Sequence, residues 1–213
     1  MSVKGRREEY AETTRAAIVA AAIERFTVDG FAKASMDAIA EAARVTKGAI
    51  YHHFKDKADL FEAAFVFMEE RLLANVTLGV AGIDDPWDLI AAGIDLFLAE
   101  CCTAGFRRIA LEEAPAALGW ARWREIEERY FLGLVTAALD GLAQAGQIDI
   151  PAGDLTARMI LAALGEAGLA VAAADRRDEQ RQRVGELVLR LVAGPGSWRA
   201  PDSGGPRIVA APG

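Results

Sequence analysis

The sequence predicts an all-α protein, and three observations carry that prediction. Apolar residues recur at helical spacing along nearly the whole chain, strand-like alternation is almost absent, and the breaks between apolar runs hold cap residues and glycines where helices start and stop. The 213 residues suit one large domain or a small one joined to a larger one. With 53% apolar against 26% charged residues, the composition is that of a folded globular chain, not a disordered one.

The elements follow in order. A first helix is expected from Thr13 or Thr14, with Ile18, Ala22 and Phe26 on one face, to Gly30, a natural left-handed closing residue after which Phe31 packs back. Ser35 is an N-cap for a short second helix with Met36, Ile39, Ala40 and Ala43 inward and Asp37 near its positive end. Arg44 and Val45 make the turn. Thr46 caps a third short helix, from Lys47 to about His53, anchored by Ile50 and Phe54. Asp56 caps a long fourth helix through Leu60, Phe61, Ala64, Phe65 and Met68, ended by Gly79 and Gly82. Asp85-Pro86, an N-cap followed by proline at the first helical position, opens a fifth that reaches about Cys102.

A sixth, shorter helix after Gly105 is expected to stop near Pro115, and a seventh to run from about Leu118 to Gly146 with Trp120, Trp123, Tyr130 and Leu134 on its apolar side. Asp154 opens an eighth, to about Ala174, and a ninth covers Arg177 to Ala193, closed by Gly194-Pro195. The stretch 195–213, rich in Gly, Pro and Ala, is expected to be a disordered tail.

Several function classes find no support. Cys101 and Cys102 are adjacent, a poor arrangement for a mutual disulfide in a helix, and a reducing cytoplasm fits them. The apolar run 16–23 follows Glu8, Glu9 and Glu12 and has no cleavage pattern, so export is not expected; the run 160–174 contains Glu166 and is too short for a membrane span. No nucleophile–base pair, phosphate-binding glycine pattern or metal-ligand cluster stands out, so neither an enzyme nor a cofactor is expected.

The net charge of −7 argues against nucleic acid only until its distribution is read. Residues 1–60 hold ten Lys or Arg and nine Asp or Glu, whereas the remainder holds fourteen and twenty-two. Between 44 and 57, Arg44, Lys47, Lys55 and Lys57 face only Asp56. The third helix lies in this basic stretch and has two faces, with Ile50 and Phe54 inside and Lys47, Ala49, Tyr51, His52 and His53 elsewhere. A helix-turn-helix needs that division, because a short recognition helix is held rigidly by one side while the other reaches the major groove.

The run Ser35-Met36-Asp37-Ala38-Ile39-Ala40-Glu41-Ala42-Ala43-Arg44-Val45-Thr46-Lys47-Gly48-Ala49-Ile50-Tyr51-His52-His53-Phe54, continued by Lys57, Leu60 and Phe61, resembles the N-terminal signature of the tetracycline-repressor (TetR) family of transcriptional regulators. The resemblance implies a DNA-facing set of Ser35, Thr46, Lys47, Gly48, Ala49, Tyr51, His52, His53 and Lys57. Tyr51 and His53 match family positions on backbone or base edges, and Lys47 and Ala49 match the groove-facing start of the recognition helix. Lys57 matches the lysine heading the fourth helix, where a helix N-terminus and an ammonium together attract a phosphate. Ala49 stands where the family often has Thr, so a hydroxyl contact is replaced by a methyl that fits against thymine. A metal site on His52 and His53 is disfavoured, because adjacent helical residues diverge by about 100°.

The resemblance further implies a C-terminal effector-binding and dimerisation domain, which gives the division 1–56 for DNA binding, 57–194 for sensing and dimerisation, and 195–213 for the tail. The segment 107–124 resembles a pattern in one TetR subgroup but names no ligand. Candidate effector-lining residues are Phe65, Met68, Phe97, Cys101, Trp120, Trp123, Tyr130, Phe131 and Met159, with core packing the competing role for each; they imply a small, largely apolar effector. Glu112 and Glu113 are polar anchors, solvated charges or partners of Arg107 and Arg108. Gly165, Gly168 and Ala172 on the eighth helix, with Val184, Leu187, Val188 and Leu191 on the ninth, are the expected homodimer surface. An architectural DNA binder without an effector is the rival function, and the large aromatic-rich C-terminal part argues against it.

Overall fold

The structure, a computed structural model, describes residues 3–148 and 153–194, with side chains from Glu9 onward. The expected tail and Pro195 lie outside the described residues. Nine helical segments are present among those described: α1 (Val3–Lys33), α2 (Met36–Ala42), α3 (Lys47–His53), α4 (Lys57–Gly79), α5 (Pro86–Cys101), α6 (Ala104–Phe106, π-helical Arg107–Glu113, Ala114–Leu118), α7 (Trp120–Gln144), α8 (Asp154–Ala172) and α9 (Arg177–Ala193). The described residues contain no strand.

Local chemistry sets most of the boundaries. Ser35 Oγ accepts the Ala38 N–H and Thr46 Oγ1 the Ala49 N–H, each at 3.1 Å. At the head of α4, Asp56 Oδ1 accepts from Asp59 N while Asp59 Oδ2 accepts from Lys55 N, a reciprocal capping pair. Asp85 Oδ1 accepts from Trp87 N and Asp88 N at the start of α5. Gly194 closes α9 with φ 72°.

Three expected boundaries are corrected. Thr13 and Thr14 do not start α1; both hydroxyls donate back to the carbonyls four residues earlier, of Glu9 and Tyr10, so they sit inside a helix that begins at Val3. Gly30 has the expected left-handed φ of 76°, yet it kinks α1 instead of ending it, and helical backbone resumes through Lys33. Pro115 likewise does not stop α6. The turn before it is π-helical, with Ala114 N bonded to Ile109 O, and this wider turn relieves the clash of the proline ring with the carbonyl four residues back. Gly119, at φ 81°, ends the segment instead.

The chain forms two compact units that do not divide at residue 57. Of the described residues, the first comprises those through Ala74 together with Ala99–Tyr130, and the second Asn75–Leu98 together with those from Phe131 onward. Helices α4, α5 and α7 each contribute to both. The first unit is built around Phe26, Phe61 and Phe31, with Phe61 packed edge-on to each of the other two at 5.0 Å between centroids. Ile18, Ile39, Ile50, Leu60, Phe65, Ile109 and Ile126 are fully buried in it. In the second unit, Leu139, Leu142, Ile148, Ala157 and Val192 form a core against Trp87, Ile90, Leu132 and Ile160. Helix α8 is long and apolar enough by composition to cross a membrane; it packs against α9 and buries Ala167, Gly168, Val171 and Ala172.

Candidate nucleic-acid interface and effector site

Helix α3 is fixed from behind and open in front. Ile50 is completely buried and Phe54 is 2% exposed, with the Arg15 guanidinium 5.1 Å from the Phe54 ring centroid. The helix is delivered by a tight turn in which Val45 N bonds to Ala40 O and Arg44 N to Glu41 O, the Schellman pattern with Arg44 at the left-handed position (φ 56°).

On the outer side, Lys47, Gly48, Tyr51 and His52 are exposed and Ala49 is half-buried. Ser35 and Thr46 are exposed as well, and each keeps its own O–H to donate while its oxygen caps a helix. Lys47 Nζ pairs with Asp37 Oδ2 at 2.9 Å; that hydrogen bond and the aspartate's charge raise the ammonium's pKa. His53 is half-buried, and its pKa is lowered by burial first and then by the charges of His52 and Arg15, so it faces its surroundings as a neutral imidazole at pH 7. The two histidine rings stand edge to face 5.4 Å apart, and no group of three metal-ligating residues exists among the described residues.

Lys57 has a role the sequence did not disclose. Its Nζ donates to the carbonyls of Ala32 and Ala34, both at 3.1 Å, and lies 4.7 Å from the Phe31 ring centroid. The lysine therefore ties the end of α1 to the head of α4 through two of its three ammonium protons.

The expected effector-lining residues divide between the units. Phe65, Met68 and Cys101 are buried and Trp123 and Tyr130 half-buried in the first, while Phe97 and Phe131 are half-buried in the second. Trp120 and Met159 are each 65% exposed, so neither is enclosed as a lining residue would be. Trp120 occupies the first position of α7, where no preceding turn covers it. Met159 belongs to an exposed row on α8. Burial also pushes the Cys101 thiol pKa up, which disfavours the reactive thiolate.

Missing from the expected set were Glu69 and Glu127. Glu69 is 3% exposed, one turn beyond Phe65 on α4. Its pKa is raised well above the ordinary carboxyl range by burial, and further by the charge of Glu127. Glu127 is pushed up to about 7, chiefly by burial; Arg124 opposes this and Glu128 adds to it. The available signal was position alone, since Glu69 interrupts an otherwise apolar face of α4.

Glu112 and Glu113 pair with the two arginines before them. Glu113 Oε1 accepts from Arg108 Nε at 2.9 Å, and Arg107 Nε lies 3.8 Å from Glu112 Oε1. The dimer strip expected from sequence splits in two: Gly168, Ala172, Val184 and Val188 are buried, whereas Leu187 and Leu191 are 56% and 54% exposed. Leu155, Met159 and Leu169 on α8 are exposed with them.

Comparison with known proteins places these features in a family. A model described as bacterial regulatory proteins, tetR family, matches residues 18–64, and one for a tetracyclin repressor-like C-terminal domain matches residues 87–195. The transposon Tn10 TetC protein of Escherichia coli is 28% identical over 148 residues, covering 70% of this chain and 75% of that one. The crystal structure of a TetR-family transcriptional regulator from Pectobacterium atrosepticum superposes with a TM-score of 0.74 at 26% identity, over 87% of this chain and 96% of the other. The regulator FadR from Bacillus subtilis, solved with stearoyl-CoA, shares the fold at a TM-score of 0.67 and 20% identity, over 83% of this chain and 96% of that one.

Proposed function

The chain belongs to the TetR family of bacterial transcriptional regulators, and on that premise we propose that it is a cytoplasmic dimeric repressor, not an enzyme, that leaves a palindromic operator when a small molecule binds. The observation that carries the reading is the division of α3, with Ile50 and Phe54 buried and Lys47, Gly48, Tyr51 and His52 exposed. Base discrimination rests on Lys47, Gly48 and Ala49 at the start of α3, with His52 or His53 beside them. Ser35, Thr46, Tyr51 and the remaining proton of Lys57 serve phosphates.

Residues 1–56 act as the reading head and 57–194 as sensor and dimer platform. The second subunit docks on the exposed row Leu155, Met159 and Leu169 of α8 and on Leu187 and Leu191 of α9, apolar side chains that a monomer leaves in water. Two copies of α3 then enter successive major grooves about one helical turn apart. Selection of binding sites from random DNA, followed by titration across a salt series, tests the reading. A palindromic consensus whose binding is lost when Lys47, Tyr51 and His52 are all replaced by alanine is the expected result; unchanged binding by that variant overturns it.

A further inference from the structure

The interior of the first unit contains a carboxyl group without a partner. Glu69 is 97% buried, and no hydrogen bond or ion pair reaches its carboxyl from the described residues. The same α4 face carries Phe65 one turn before it and Leu72 one turn after, both buried. A leucine or methionine at 69 would complete that face, so packing alone gives no reason for an acid there.

On α7, Trp123, Glu127 and Tyr130 are spaced four and three residues apart and so share one helical face, and side-chain bonds from Arg122 to Glu62 and from Tyr130 to Glu70 tie that helix to α4. Glu127 is close enough for its charge to act on Glu69. Tyr130 is held in place by donating its O–H to Glu70 Oε1 at 2.9 Å. The indole Nε1 of Trp123 is buried with no acceptor among the described residues.

We infer that Glu69 and Glu127, with the rings of Trp123 and Tyr130, form a binding site for a small organic cation, an ammonium or amidinium group on an apolar body. The inference rests on the effector reading above and names the chemical class of the effector. A cation supplies what this interior lacks. It offers donors to Glu69, opposite charge to both carboxyls, and a partner for two ring faces, while its body meets apolar Phe65, Met68 and Leu72. A neutral apolar ligand leaves both carboxyls unmatched, and an anion is repelled once Glu127 ionises.

Calorimetry on the full-length protein with phenylalkylammonium ions of one to four methylenes, and with the matching alcohols and carboxylates, tests the site. At least one ammonium is expected to bind about tenfold or more tightly than its alcohol. Glu69→Gln and Glu127→Gln should each remove that preference, leaving affinity for the alcohol unchanged. Glu69→Gln replaces an acid by a neutral side chain of the same shape, so a melting temperature at or above that of the unmodified protein is expected; Glu69→Met, fitted to the apolar face, is the second variant.

Failure of every ammonium to bind at millimolar concentration overturns the inference, as does equal affinity for ammonium and alcohol or a preference that survives the substitutions. Operator affinity measured with the same compounds separates this site from the effector reading. An ammonium that binds through Glu69 without changing operator affinity upholds the site and removes the effector reading. Operator release by an alcohol or carboxylate, with no ammonium bound, upholds the effector reading and removes the site.

Discussion

Glu113 accepts the backbone N–H of Phe31 at 2.7 Å, a bond that joins residues 82 positions apart. Phe31 follows the Gly30 kink, and a Cβ at Gly30 would collide with the Arg108 guanidinium that Glu113 also holds. The end of α1, which positions the helix-turn-helix, is thus clamped by a side chain of α6. Glu113→Ala should lower stability by about 1–3 kcal/mol, read as a fall in melting temperature. It should also shrink the ratio of operator affinities measured without and with an effector. A full-size ratio would show that the clamp transmits nothing.

Arg44 occupies a left-handed turn position at φ 56°, where glycine is at home. Arg44→Gly should raise stability by about 0.5–1 kcal/mol, relief of the strained conformation being partly offset by the freer unfolded chain. The same change removes an exposed cation beside α3, so DNA affinity should fall while thermal stability rises. Thermal melts and DNA titrations on one sample check both signs.

Lys57→Met should destabilise the protein by about 1–3 kcal/mol even without DNA, because two carbonyl acceptors lose their donor. If the third ammonium proton serves a phosphate, the slope of log affinity against log salt should also drop by about one per subunit. Loss of stability with an unchanged slope would restrict Lys57 to its structural task.

Glu127 gives the protein a pH dependence of known sign. Its folded pKa is raised to about 7 from an ordinary value of 4.5, so the folded state holds a proton that the unfolded chain releases between those values. Stability from this group is full below 4.5 and is lost as pH rises through 7. Glu69, raised as well, extends the loss upward. The melting temperature should fall between pH 5 and 7.5 by more in the unmodified protein than in Glu127→Gln. A variant curve of equal slope would refute the assignment.

Leu187→Glu combined with Leu191→Glu should convert a dimer into a folded monomer, since both leucines are more than half exposed on α9. Light scattering should move from twice the 22.8 kDa chain mass to once. Retention of the dimer would place the interface elsewhere.

What the sequence disclosed was what short-range chemistry decides. Ser35, Thr46, Asp56 and Asp85 cap helices within three residues of themselves, and Gly194 ends one by its own backbone, so each could be read in place. Thr13 and Thr14 misled because a threonine hydroxyl serves a cap or a back-bond equally well, and only the four residues before it decide which. The two-sided character of α3 was legible because burial follows the helical period. The condition of Glu69 was not, because a carboxyl's burial depends on α7, which lies more than fifty positions further on. The structural role of Lys57 escaped for the same reason: its acceptors, Ala32 and Ala34, lie at the end of α1, more than twenty positions earlier.

The π-helical turn of α6 also bears on how tolerant this region is to changes in length. A π turn accommodates one residue more than an α turn, so Arg107–Glu113 carries a surplus residue while Ala114–Leu118 beyond it remains regular helix. Removing one residue there would let the segment relax to ordinary helix without unravelling it. The narrower α turn takes up about the angle that the lost residue carried, so the side chains on either side keep their register. Arg108 and Glu113, five residues apart on the π turn, would stand four apart on an α turn and still converge on Gly30. A one-residue deletion between them should therefore leave both the helix and its hold on the reading head in place, where the same deletion in a regular helix would swing one of the two side chains away.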